Sequence, residues 1–151
     1  MTTIAYRDGV MAGDGRETLH GEQQSPMVIR EDVVKVFKLK DGVILGVCGT
    51  SEHAEQLRRS LSRKRSATPE LDDCQAIMVG PDRVIYVYEG AVWVRQNAAY
   101  YAIGTGALMA FAAMDADATA RKAVEIGIKR DPFSGGNITE VELARVEVVG
   151  S

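Results

Sequence analysis

The chain has 151 residues, 46% of them hydrophobic and 26% charged, with a formal net charge of −3. That length suits one domain with a real core, and the weak negative balance argues against wholesale attraction to nucleic acid or to an anionic membrane. Two cysteines, Cys48 and Cys74, make no secreted disulfide framework, and no apolar run approaches the roughly 20 residues of a membrane span.

Taken in chain order, 3–6 and 10–13 read as strands joined by Asp8-Gly9, a two-residue hairpin signal. The polar stretch 15–26 reads as an exposed loop. Residues 33–39 alternate as a strand and turn at Asp41-Gly42 into 43–47. Thr50 or Ser51 can cap a helix to about Arg63, with Ala54, Leu57 and Leu61 on one face. Its basic end, Arg58-Arg59 and Arg63-Lys64-Arg65, complements the helix dipole. After a loop over 66–73 come strands at 76–79, 84–88, 91–94 and 100–103.

Residues 106–114 form an Ala/Met-rich helix with so little polar surface that burial between layers is expected. Asp117 can cap a further helix to Lys129, striped by Ala120, Val124 and Ile128, and 140–149 closes the chain as an alternating strand. The fold class is α+β: strands, helix, strands, two helices, strand, consistent with two stacked sheets flanked by helices. Both cysteines lie in apolar runs and are expected to be buried free thiols.

The amino terminus carries the chemistry. A threonine hydroxyl is a poor nucleophile without a base. If Met1 of Met1-Thr2-Thr3 is removed, Thr2 presents a hydroxyl and an α-amine on one residue, the amine having an ordinary pKa of about 7.7–8.0. Nucleophile and base would then arrive together. Thr2 is small, which suits routine removal of Met1.

Thr2-Thr3-Ile4 at the start and Asp131-Pro132-Phe133-Ser134-Gly135-Gly136 near the end are the most specific motifs. With Asp14, Val34-Lys35-Val36, Gly46-Val47-Cys48-Gly49-Thr50 and Ile103-Gly104-Thr105-Gly106 between them, the chain resembles a proteasome β-subunit. It is most similar to the short bacterial, or phage-borne, proteasome-like threonine peptidases of the N-terminal nucleophile hydrolase superfamily. The resemblance covers nearly the whole of 1–151 and implies one peptidase domain. It also implies a four-layer αββα sandwich of two antiparallel sheets. The family's usual second helix, between the first helix and the middle strands, has no counterpart here.

The same resemblance implies site roles. Lys35 matches the lysine beside the nucleophile and Asp14 the carboxylate that pairs with it; an ammonium there eases alkoxide formation, and the carboxylate offsets its desolvation. Without the resemblance, a lysine inside an alternating strand would be taken to face solvent. Gly49 matches the glycine whose N–H faces the developing oxyanion. Asp131 and Ser134 match the pair that holds the terminal amine and hydroxyl. Thr105 stands where serine is usual, keeping a hydroxyl and adding a methyl, so its membership is left open. Thr18, Val33, Val47 and Ser51 match positions framing the bound peptide and favour a modest apolar residue before the scissile bond.

Other constellations are poor. Gly104-Thr105-Gly106 lacks a small third position for a dinucleotide loop, Met109 standing there. His20 and His53 are too isolated for a metal site, and Asp115 and Asp117 suit helix ends. The reading is therefore a self-compartmentalising threonine endopeptidase. It needs no cofactor, acts on polypeptides within a homo-oligomeric ring whose stacking is left open, and works in the cytoplasm of a cell or of an infected cell. Docking of an ATP-dependent unfoldase is left open. The rivals are a non-catalytic ring-forming subunit and an N-terminal nucleophile amidase acting on small amides.

Overall fold

The computed structural model of the chain describes residues 2–19, 27–62 and 68–144. Met1, the basic run 63–65 and the end of the expected last strand lie outside them. The first hairpin, β1 (Ile4–Arg7) and β2 (Val10–Gly13), turns through Asp8 and Gly9, whose φ angles of 52° and 83° are those a tight two-residue turn requires. The expected loop that follows is in part a second hairpin, β3 (Glu17–Leu19) against β4 (Met27–Arg30). Its polar composition hid a ribbon that is half-buried at most and so lacks a strong hydrophobic alternation.

Strand β5 (Val36–Lys38) is shorter than expected, and Lys35 stands just before it rather than inside it. β6 (Ile44–Gly49) leads into α1 (Ser51–Ser62); β7 (Cys74–Val79), β8 (Ile85–Glu89), β9 (Val92–Gln96) and β10 (Tyr100–Ile103) follow. Helices α2 (Ala107–Asp115) and α3 (Ala120–Arg130) precede β11 (Thr139–Glu142). Thr119, not Asp117, caps α3: its side chain accepts from Lys122 N, while Asp117 takes φ 69° in the turn before it. Threonine in extended backbone can aim its oxygen at the first helical amides; a left-handed Asp117 cannot.

Two antiparallel sheets stack, in the orders β10-β1-β2-β11 and β5-β6-β7-β8-β9. Ile4, Met11, Val36, Ile44, Ile77, Val79, Ile85 and Ile103 fill the space between them. Helix α1 lies on the outer face of the five-stranded sheet, seating Leu57 among Leu45, Val47, Ala76 and Tyr88. Burying such a leucine contributes about 1.5–3 kcal/mol. On the other side α2 and α3 cover the four-stranded sheet, where Ala5, Ala12 and Ala102 let the helices approach closely.

The layers are thus α1, sheet, sheet, α2 with α3. This is the four-layer αββα arrangement with a thin first layer. Among the described residues no helix stands between α1 and β7. Helix α2 is an outer layer rather than an enclosed one. Ala110, Ala113 and Met114 are buried, but Leu108 is 81% exposed. Cys48 and Cys74 are buried free thiols, and burial pushes them up to about 12 and about 11.

Candidate active site

Thr2 precedes β1, in the layer between α3 and the five-stranded sheet, and is 3% exposed. Lys35 reaches it from the segment entering β5. Its Nζ donates to Thr2 Oγ1 at 2.9 Å, to Asp14 Oδ1 at 3.0 Å and to the Arg16 carbonyl at 2.7 Å. Three acceptors match the three N–H donors of an ammonium.

Asp14, fully buried at the end of β2, is itself held on all sides. Oδ1 also accepts from Thr3 N at 3.0 Å, and Oδ2 accepts from Gly135 N at 3.0 Å. A buried ion pair stands only if such extra hydrogen bonds offset its desolvation. Lys35 and Asp14 meet that condition.

A second polar chain runs on the far side of Thr2. Asp131 Oδ2 accepts from Thr105 Oγ1 at 2.5 Å and from Ser134 Oγ at 2.6 Å, and its Oδ1 accepts from Phe133 N at 3.1 Å. Thr105 therefore stands in the same group as Asp131, with its hydroxyl 3.5 Å from the Thr2 carbonyl. Ser134 is within hydrogen-bonding distance of Thr3, not Thr2: the two hydroxyl oxygens are 2.7 Å apart. In this chain the Thr2 nitrogen is in peptide linkage to Met1.

The turn after β10 clasps Thr2 from the other direction. Gly106 N donates to the Thr2 carbonyl at 3.2 Å. A Cβ at position 104 would sit 2.0 Å from that carbonyl oxygen, and one at 106 would sit 1.8 Å from Thr3 Oγ1. Only glycine fits at both. Gly127 costs α3 roughly 1 kcal/mol of helix propensity, yet a Cβ there would come within 2.6 Å of Thr3 Cγ2.

A cavity of about 430 Å³ opens beside Thr2 and Lys35. Thr18, Val33, Val47 and Ser51, the four residues expected to frame a bound chain, all line it, and so does Gly49. Gly49 has φ 130°, and a Cβ on it would lie 2.2 Å from the Asp73 carbonyl oxygen, so its backbone stays bare at the cavity wall. Apolar lining comes from Val33, Phe37, Val47 and Ala54. Arg58 sits 5.3 Å over the Phe37 ring and is forked to Glu55 at 2.9 and 2.6 Å. The two arginines on Glu55, Arg58 and Arg59, lower its carboxyl to about 2. The rim is therefore charged, beyond the modest apolar site expected. Ser51 Oγ donates to Glu17 Oε1 at 3.0 Å, tying α1 to β3 across the opening.

Sequence reasoning did not single out Thr3, Arg16 or Gln75. Thr3 stood in the quoted start but was given no role. Arg16 acts through its backbone carbonyl, which no residue type announces. Gln75 is the lone polar residue of β7, Cys-Gln-Ala-Ile-Met-Val, and that interruption is the signal that could have flagged it. Among the described residues no group of three or more His, Cys, Asp or Glu is placed to hold a metal.

This arrangement of layers matches an HslV-like fold. Thiobacillus denitrificans BPH matches at 16% identity and a TM-score of 0.65, over 95% of this chain and 98% of that one. The same protein in complex with epoxomicin matches at 16% and 0.64, over 95% and 99%. Eukaryotic HslV from Trypanosoma brucei matches at 18% and 0.65, over 93% and 98%. At such identities the likeness is one of fold. No protein-family model matches the sequence, and no curated protein does.

Proposed function

We propose that the chain is a threonine endopeptidase of the proteasome β-subunit family, with Thr2 as nucleophile once Met1 is removed. One observation carries the reading. A buried threonine hydroxyl at the second position lies 2.9 Å from a buried ammonium and beside a 430 Å³ cavity.

Thr2 Oγ attacks a peptide carbonyl and gives its proton to its own α-amine, while the Lys35 ammonium eases the developing negative charge on that oxygen. The Gly49 N–H stabilises the oxyanion, an interaction typically worth about 10²–10³ in rate. The amine leaves with a proton, and water then releases the acyl group from Thr2. Asp14 holds Lys35 in register, Thr105 links the Thr2 carbonyl to Asp131, and Ser134 links Asp131 to Thr3. Polypeptide enters along Thr18, Val33, Val47 and Ser51. No metal or organic cofactor takes part.

Intact mass of the purified protein reports whether Met1 is gone, and a panel of fluorogenic peptides beside small amides reports the reaction. Peptide cleavage lost in Thr2→Ala supports the proposal; cleavage unchanged in that variant refutes it. Epoxomicin, which T. denitrificans BPH binds, is a ligand to try on the same residue.

Identical subunits would assemble as rings, stacked through α2 and α3, whose outer face presents Leu108. With α1 the one helix on the opposite face among the described residues, docking of a standard unfoldase would be altered or absent. A stable interface of this kind needs more than about 1,000 Å². Sedimentation or native mass spectrometry decides it: a strict monomer at micromolar concentration removes the chamber.

A further inference from the structure

Gln75 lies outside every role given above, yet it bridges the two sheets at the site. It pairs directly with Cys48 across β6 and β7, so their side chains share a face. Its Oε1 accepts the Gly104 N–H at 3.1 Å and lies 3.8 Å from Cys48 Sγ. Gly104 belongs to the turn that follows β10 of the other sheet, and Cys48 directly precedes Gly49 at the cavity wall.

The Gly104 turn is what clasps Thr2. It begins at φ 95°, with the Thr2 carbonyl packed so close that no side chain fits at 104. Two positions on, Gly106 N holds that carbonyl, and Thr105 connects it to Asp131. Rotating the Gly104 peptide plane would therefore move the carbonyl and, with it, the directions in which the Thr2 amine and hydroxyl point.

We infer that Gln75 is a positioning residue: its amide oxygen fixes the Gly104 turn and thereby the orientation of Thr2 toward Lys35 and the cavity. The inference rests on the peptidase reading for its kinetic consequence, though not for its geometric one. Displacements near 1 Å can cost up to about 10²-fold in rate. A single hydrogen bond to one neighbouring turn is expected to cost less, about tenfold in kcat with KM within about twofold.

The test compares wild type, Gln75→Leu and Gln75→Glu, each released with Thr2 as first residue. Gln75 is exposed, so the variants should fold, and thermal unfolding checks that they do. Peptide hydrolysis gives kcat and KM, and NMR of ¹³C-labelled threonine follows titration of the Thr2 amine. The proposal expects Gln75→Leu to lower kcat and displace that titration, and Gln75→Glu, which keeps an acceptor oxygen, to recover most of kcat. Wild-type behaviour of Gln75→Leu in both readouts overturns it, and so does Gln75→Glu as impaired as Gln75→Leu. If the wild type hydrolyses nothing while the titration still moves in Gln75→Leu, the positioning stands and the peptidase reading falls.

Discussion

Two ion pairs border the same cavity and are built from similar chemistry. Lys35 and Asp14 meet at 3.0 Å with side chains 8% and 0% exposed; Arg58 and Glu55 meet at 2.6 Å with side chains 33% and 41% exposed. The shorter pair is the less consequential one. Water screens and competes for Arg58 and Glu55, and exposed pairs of this kind contribute little. Lys35 and Asp14 have traded that water for fixed partners. Removing one of them leaves a buried charge unmatched, which typically costs about 3–5 kcal/mol.

The sharpest way to separate the two walls is to remove what the buried pair serves. Thr2→Ala should abolish peptide hydrolysis while the melting temperature stays near that of wild type, because only an oxygen and a methyl are lost. Fluorogenic cleavage and a thermal melt check it. Lys35→Ala should be nearly as inactive and, unlike Thr2→Ala, should also lose stability of the order just given, read by denaturant titration. An active or fully stable Lys35→Ala would break the contrast.

Gly49→Ala should cost both activity and stability, since a Cβ at φ 130° would meet the Asp73 carbonyl at 2.2 Å. Its cleavage rate should fall by about 10² or more if the bare backbone there faces the oxyanion.

The mildest change is Glu55→Gln. The carboxyl of Glu55 is lowered from an ordinary 4.5 to about 2, first by its hydrogen bond to Arg58 and then by that to Arg59. A lowered carboxylate favours the fold at pH values above its ordinary range and loses that advantage as pH falls from 4.5 through 2. Because Glu55 is open to solvent, melts of wild type and Glu55→Gln near neutral pH should nearly coincide, and the variant should lack whatever small acid dependence the pair adds. A large change in cleavage preference with little change in melting would show the charged rim acting on substrate alone.

Much of this was legible beforehand where chemistry is written in local sequence. The Asp8-Gly9 turn, the apolar stripe of α1 and the paired hydrophobic strands follow from patterns a few residues long. The grouping of Asp14, Lys35 and Asp131 near Thr2 was legible only through resemblance, because its members come from distant points of the chain, and the membership of Thr105 was left open. What escaped lacks such a signature. The β3–β4 ribbon is too exposed to alternate. Lys35 sits just before its strand, although its backbone carbonyl still accepts Val47 N from the paired β6, and its side chain turns inward to Thr2. Thr3 meets Ser134 across 131 residues of sequence, and the partners of Gln75 likewise lie on other elements.

The crowded glycines at 104, 106 and 127 have a consequence for how such a protein can change. They hold the amino-terminal threonines by leaving no room, so those three positions offer evolution or a library almost no tolerated substitutions. The opposite wall, from Phe37 through Val47 to Ala54 and Arg58, is made of side chains that can be exchanged without touching that clasp. Preference for one peptide over another can therefore drift at those side chains, while Lys35, Gly49 and Gln75 on the same sheet stay tied to the reacting end.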